Sequence, residues 1–143
     1  MSTQILAPAA ALVVWTLVVM MWMMMTRLSA LGKSGIDLKQ SKPGGRGEQL
    51  NGVLPDNVMW KSHNYTHLLE QPTLFYAVVV ILAVSGAGTG INLQLAWAYV
   101  VLRVIHSLWQ ATVNTIMPVR FGLFFLSTLC LIVLAINALR ATL

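Results

Sequence analysis

Four apolar stretches, each about as long as a membrane-crossing helix, decide what this chain can fold into. They run from about Ile5 to Met25, Asn57 to Ser85, Leu93 to Met117 and Val119 to Leu139. The second is polar in its first half and apolar from Pro72 onward. A helix of about 20 residues crosses a hydrocarbon core. A closed β-barrel is the only other spanning solution, but its strands are shorter and alternate in polarity, which these runs do not. Charged residues make up 9% of the chain, against about 25% in a soluble domain, too few to clothe a wetted exterior. The reading is an all-α integral membrane protein, one domain over its 143 residues.

The connections set the topology. The first, "RLSALGKSGIDLKQSKPGGRGEQLNGVLPDN", is rich in Gly, Pro, Lys and Ser and reads as a solvated loop over residues 27–56. The second, "GAGTGIN", is short and uncharged, and the third, "MPVR", is a turn in which Pro118 ends one helix and starts the next. Short connections make neighbours antiparallel, so an up-down four-helix bundle is expected. Arg27, Lys33, Lys39, Lys42, Arg46 and Lys61 flank the long loop, Arg120 lies on the same side, and Arg140 alone lies near the other. That bias places the long loop in the cytoplasm and both termini outside. The net charge of +5 thus reads as orientation; no basic patch interleaved with aromatics suggests a nucleic acid.

Other local signals carry less. The opening "MSTQILAPAA" has no basic n-region, so a cleaved signal peptide is not expected. The lone cysteine, Cys130, cannot form an intrachain disulfide and reads as a small hydrophobe. The run "MMWMMM", Met20 to Met25, reads as flexible lipid-facing or gap-filling side chains and not as a soft-metal site. "NYT" at Asn64 matches a glycosylation sequon but falls on a helix near the cytoplasmic face, so it is discounted.

The third span carries polarity that needs a reason. At about 100° per residue, Tyr99, Arg103, His106, Ser107, Gln110 and Asn114 fall within one arc of about 100°, while Leu108 and Trp109 point elsewhere. A charge at the bilayer centre costs at least about 2.5–3.5 kcal/mol, so this face must meet the bundle interior, another subunit or a wet cleft. The second span has a matching stripe of His63, His67 and Glu70, spaced four and three apart. Pro72 follows closely and should kink that helix. The fourth span opens with Arg120, with Ser127 farther along the same face.

Arg27, Arg103 and Arg120 thus surround an interior in which Glu70 is the one opposing carboxylate. Buried charges want partners, and an anionic ligand from the cytoplasmic side would balance the surplus cations. Plainer roles exist. Arg103 can pair with Glu70, His67 and His106 can be interhelical hydrogen bonders, Gln110 and Asn114 can tie helices together, and Arg27 and Arg120 can anchor at the interface. No metal site is expected.

Two segments, "HNYTHLLEQPTLFYAVVVIL" and "AWAYVVLRVIHSLWQATVN…VRFGLFFLSTL", resemble the MAPEG family, the membrane-associated proteins of eicosanoid and glutathione metabolism, and more closely its bacterial branch. The resemblance implies a four-helix subunit in a homotrimer, here in a bacterial inner membrane, with glutathione bound between subunits near the cytoplasmic face. It gives Arg120 the catalytic role of stabilising the glutathione thiolate. It places Arg27, His63, His67, Glu70, Arg103, His106 and Gln110 at ligand-binding positions. Three of these depart from the family pattern: His63 stands where it has Arg, His67 where it has Asn, and Gln110 where it has Tyr. Glu70 also sits two residues before the proline, closer than is usual. Arg27, Glu70, Arg103, His106 and Arg120 keep the pattern.

What this implies is a glutathione-dependent transferase or peroxidase acting on a lipophilic electrophile, with glutathione as co-substrate. The competing expectation is a non-catalytic protein that binds a lipid or fatty acid in the interhelical cleft, its arginines holding the carboxylate. A small transporter is a third, but the chain has no broken-helix repeat.

Overall fold

The computed structural model describes residues 1–40 and 42–143. Its regular elements are helical: α1 (Leu6–Ser34), α2 (Asp56–Glu70), α3 (Pro72–Val84), α4 (Ile91–Thr112) and α5 (Met117–Thr142), with short 3-10 turns at Thr3–Ile5, Leu38–Gln40 and Gly47–Leu50. Four spans are long and apolar enough to cross a membrane: Thr3–Ser34, Asp56–Val84, Ile91–Thr112 and Met117–Thr142.

Three boundaries differ from those read off the sequence. The first helix does not stop at Met25 but continues to Ser34, so Arg27 lies within it and not in a loop. Leu, Ala and Lys favour helix and carry it through Gly32 as far as Gly35, whose φ of 71° gives a left-handed cap. The second span is two helices meeting at Gln71. Pro72 has no N–H for the carbonyl four residues back, and its ring crowds that carbonyl. The Thr73 hydroxyl instead donates to the Glu70 carbonyl at 2.7 Å. The third span ends at Thr112, short of Met117. Asn114 and Ile116 take positive φ of 44° and 55°, and a main-chain bond from Asn114 N to Trp109 O at 2.8 Å closes the turn. Asn114 therefore belongs to the turn and not to the helical stripe.

Hydrogen bonds at both ends fix neighbouring helices as antiparallel. At one end Ser2 N donates to Ala83 O at 2.8 Å, and Gly88 N donates to Ser2 Oγ at 2.6 Å. There too Asn137 Nδ2 donates to Asn92 Oδ1 at 2.7 Å, and Asn92 Nδ2 to Ala87 O at 2.9 Å. At the other end Arg27 donates to Ser62, and Arg120 Nη1 to Asn114 Oδ1 at 2.7 Å. The core between them includes Leu12, Val19, Val79, Leu82 and Leu134, with Phe75 stacked on Tyr99 at 4.3 Å between ring centres. A smaller cluster of Leu31, Leu54 and Met59 seats the long connection. Many large apolar side chains face outward, among them Val14, Leu17, Phe121, Phe125 and Ile132. Such a surface is stable against lipid or another apolar face, not against water.

The break at Gln71 is held in place. Gln71 Nε2 donates to Thr128 Oγ1 on α5 at 2.9 Å, and Tyr99 Oη on α4 donates to Gln71 Oε1 at 3.1 Å. The kinked span is thereby pinned to the helices that carry Arg103 and Arg120.

Candidate functional site

The polar face of α4 points inward as its spacing requires. Tyr99, Arg103, His106, Ser107 and Gln110 are all buried, whereas Leu108 is exposed and Trp109 half-buried. Ser107 ties three helices together. Its Oγ accepts from Trp15 Nε1 on α1 at 3.0 Å and from Asn64 Nδ2 on α2 at 2.8 Å. Asn64 is only 1% exposed, so its sequon is sealed inside the bundle.

Arg103 is also 1% exposed, and its surroundings are poor in acceptors. Nη2 donates to the His67 carbonyl at 3.4 Å, long for a hydrogen bond. Nε and Nη1 have no hydrogen-bond partner among the described residues. The guanidinium lies 5.7 Å from the centre of the Phe124 ring, a weak favourable contact. Glu70 does not hydrogen-bond to Arg103 and is exposed. The structural pairing of these two residues is therefore not formed. Two more buried atoms near this point, His67 Nδ1 and Gln110 Oε1, also lack partners.

Two cavities meet here. The larger, about 330 Å³, is polar: His63, His67 and Glu70 from α2, Gln110 from α4 and Arg120 from α5 line it, with Ser62 and Thr66 completing the α2 wall. The smaller, about 160 Å³, is lined by His67, His106, Arg120, Met117, Phe121 and Phe124. His67 and Arg120 border both. The His67 ring lies 5.1 Å from the His106 ring and is stacked at 5.5 Å on Phe124. Among the described residues no group of three or more His, Cys, Asp or Glu side chains comes together to hold a metal ion.

Six of the eight sequence-derived site residues thus wall one or both cavities. Arg27 reaches the larger one indirectly, through its bond to Ser62. Arg103 lies on neither wall and meets the site through the His67 main chain. The sequence reading missed the roof. Glu48 and Asn51, from the long connection, also line the larger cavity, and His63 Nε2 donates to Asn51 Oδ1 at 3.0 Å. An irregular loop has no periodicity to reveal this. Ser62 and Thr66 were legible in principle, since with Glu70 they recur every four residues on one face of the second span.

The fold and site define an integral multi-pass membrane protein with four spans, in which the second, third and fourth, with the long connection, line a polar cavity near a buried, underpartnered arginine. The chain matches the MAPEG family over residues 5–140, nearly its whole length, and it belongs to that family. Neither a curated protein nor a solved structure matches it. Membership bears out the resemblance read from the second, third and fourth spans, and it suggests a glutathione- or eicosanoid-related membrane protein.

Proposed function

We propose that this protein binds glutathione in the 330 Å³ cavity and directs its thiolate at a lipophilic electrophile arriving from the bilayer. The observation that carries this reading is that one cavity holds both signs of charge: Glu48 and Glu70 share its wall with Arg120 and two histidines. Glutathione has an ammonium, two carboxylates and a thiol, so it needs both. A fatty acid has no use for the two carboxylates. In this reading Glu70 and Glu48 hold the ammonium, while Arg103 and Arg27 compensate the ligand's carboxylates from behind the wall.

Arg120 has the catalytic role. A free thiol has a pKa of about 8.5 and is mostly protonated at neutral pH. A guanidinium beside the sulfur favours the thiolate, each pKa unit corresponding to about 1.4 kcal/mol. Arg120 sits in the first turn of α5, where the helix dipole adds to its effect. The smaller cavity, with Phe121, Phe124 and Met117, offers the electrophile an apolar seat that borders the same arginine. Attack forms a thioether with a carbon electrophile, by addition or with departure of a leaving group; a lipid hydroperoxide is instead reduced to an alcohol and water as two glutathiones are oxidised to their disulfide. In this reading the protein is a homotrimer in the inner membrane, with the long connection on the cytoplasmic side.

His63, His67 and Gln110 replace three family contacts. A lost ligand hydrogen bond costs about 1–3 kcal/mol, so affinity is expected nearer millimolar than micromolar. The test is ultraviolet difference absorbance of the glutathione thiolate with the detergent-solubilised protein and with Arg120→Ala. A thiolate band that the substitution abolishes is the expected result. Full thiol-dependent turnover in Arg120→Ala would overturn the reading. The absence of any band at millimolar glutathione, together with a co-purifying fatty acid, would move the assignment to lipid binding.

A further inference from the structure

The methionine-rich part of α1 plays no part in the thiol site, yet it walls a second groove. The first span covers 32 residues, Thr3–Ser34, about 48 Å at 1.5 Å per residue. The hydrocarbon core is about 30 Å thick. The span exceeds that thickness, and Arg27 and Lys33 at its basic end assign its last turns to the headgroup layer, alongside the start of α2, to which Arg27 is bonded through Ser62.

Between these two segments lies a groove of about 590 Å³, walled by Trp22, Met25, Ser29 and Lys33 on α1 and by Asn57 and Val58 on α2. Trp22 and Met25 also wall an apolar trough that continues along α1 over Val14, Leu17, Val18 and Met21. The groove's polar end is cationic. Lys33 is exposed within it. Lys61 Nζ, which donates to the Asn57 carbonyl, sits 5.4 Å from the centre of the Trp22 ring. None of the described lining residues is acidic; Asp56, the acid nearest in sequence, is exposed and lies outside the lining.

We infer that this groove binds an anionic phospholipid. An acyl chain runs along the trough, where flexible methionines adapt to it. Trp22 sits at the boundary between tail and headgroup, the level that tryptophan favours. The phosphate lies between Lys33 and Lys61. The match of shape and charge is the argument: an apolar trough leads into a cationic mouth at the depth where lipid phosphates sit. The site is separate from the thiol cavity and independent of its chemistry.

The test is native mass spectrometry of the detergent-solubilised full chain with equimolar phosphatidylglycerol and phosphatidylcholine of identical acyl chains. Each lysine near anionic lipid is worth about 1 kcal/mol, about fivefold. Phosphatidylglycerol should therefore be retained at least several-fold over phosphatidylcholine. Lys33→Gln with Lys61→Gln should abolish that preference while phosphatidylcholine retention stays unchanged. Equal retention of the two lipids by the unmodified chain, or a preference that survives both substitutions, overturns the proposal. A second measurement addresses occupancy by another copy of the chain. Ser29→Cys in a Cys130→Ala background should form no disulfide-linked dimer on oxidation; efficient disulfide cross-linking between copies would also overturn it.

Discussion

Arg103 Nη2 reaches the main-chain carbonyl of His67 at 3.4 Å, and that is the guanidinium's one hydrogen bond among the described residues. A buried cation costs several kcal/mol to desolvate and repays it only with good partners. Without ligand, then, Arg103 weakens the fold it sits in. Arg103→Met keeps most of the side-chain volume and removes the charge. The expected melting temperature of the ligand-free variant is equal to or above that of the unmodified protein, a gain of up to about 1–4 kcal/mol. Added glutathione should raise the melting temperature of the unmodified protein and leave the variant unmoved. A large fall in the ligand-free variant would show instead that Arg103 is a structural tie.

Ser107 is the opposite case, a small residue on which two buried donors depend. Replacing it by alanine leaves Trp15 Nε1 and Asn64 Nδ2 without their acceptor. Each stranded donor costs about 1–3 kcal/mol, with the half-buried Trp15 at the lower end. Ser107→Ala should therefore destabilise by about 2–4 kcal/mol, measured as a drop in thermal midpoint. Because the donors share one acceptor, Trp15→Phe combined with Ser107→Ala should cost less than the sum of the two.

Two glycines make a paired prediction about close approach. A Cβ on Gly88 would lie 2.6 Å from both Ile5 Cγ2 and Ser2 Oγ, and 2.9 Å from the Ser2 carbonyl oxygen. The N-terminal turn would have to shift, breaking the Gly88 N to Ser2 Oγ bond. Overpacking of this kind costs about 1–3 kcal/mol. Gly122, inside α5, has nothing within 4 Å of an added Cβ, and alanine there gains about 0.5–1 kcal/mol of helix stability. Thermal melts of Gly88→Ala and Gly122→Ala should thus move in opposite directions. A neutral Gly88→Ala would mean that the N-terminal turn is not tightly seated.

What the sequence made legible follows from what has a period. The four spans and the inward face of α4 are periodic, and Tyr99, Arg103, His106, Ser107 and Gln110 are buried as a set. Boundaries set by a few residues were less legible. The extension of α1 to Ser34 depends on one left-handed glycine, and the early end of α4 on two residues with positive φ. Charge arithmetic identified the cation surplus, and of the plainer roles it left open the pairing of Arg103 with Glu70 is not formed, since Glu70 lines the cavity. Partners chosen across helices, such as Gln71 with Tyr99 and Thr128, leave no mark in a linear pattern.

The roof of the larger cavity gives the last prediction. His63 is exposed, and its bond to Asn51 is a side-chain hydrogen-bond link between α2 and the loop that carries Glu48. A single exposed hydrogen bond contributes about 0.5–1.5 kcal/mol, so His63→Ala should barely change the global melting temperature. Loops open locally at much lower free energy than whole domains. Removing a tie of about 1 kcal/mol should then raise the open population about fivefold. Lys39 and Arg46 supply trypsin sites in this loop, Lys42 being protected by Pro43, and their cleavage follows that population when reclosing is fast. Tryptic cleavage of the loop should accelerate by about that factor in His63→Ala, while the helices stay intact. Cleavage at an unchanged rate would mean that the small Leu31, Leu54 and Met59 cluster, and not His63, holds the roof down.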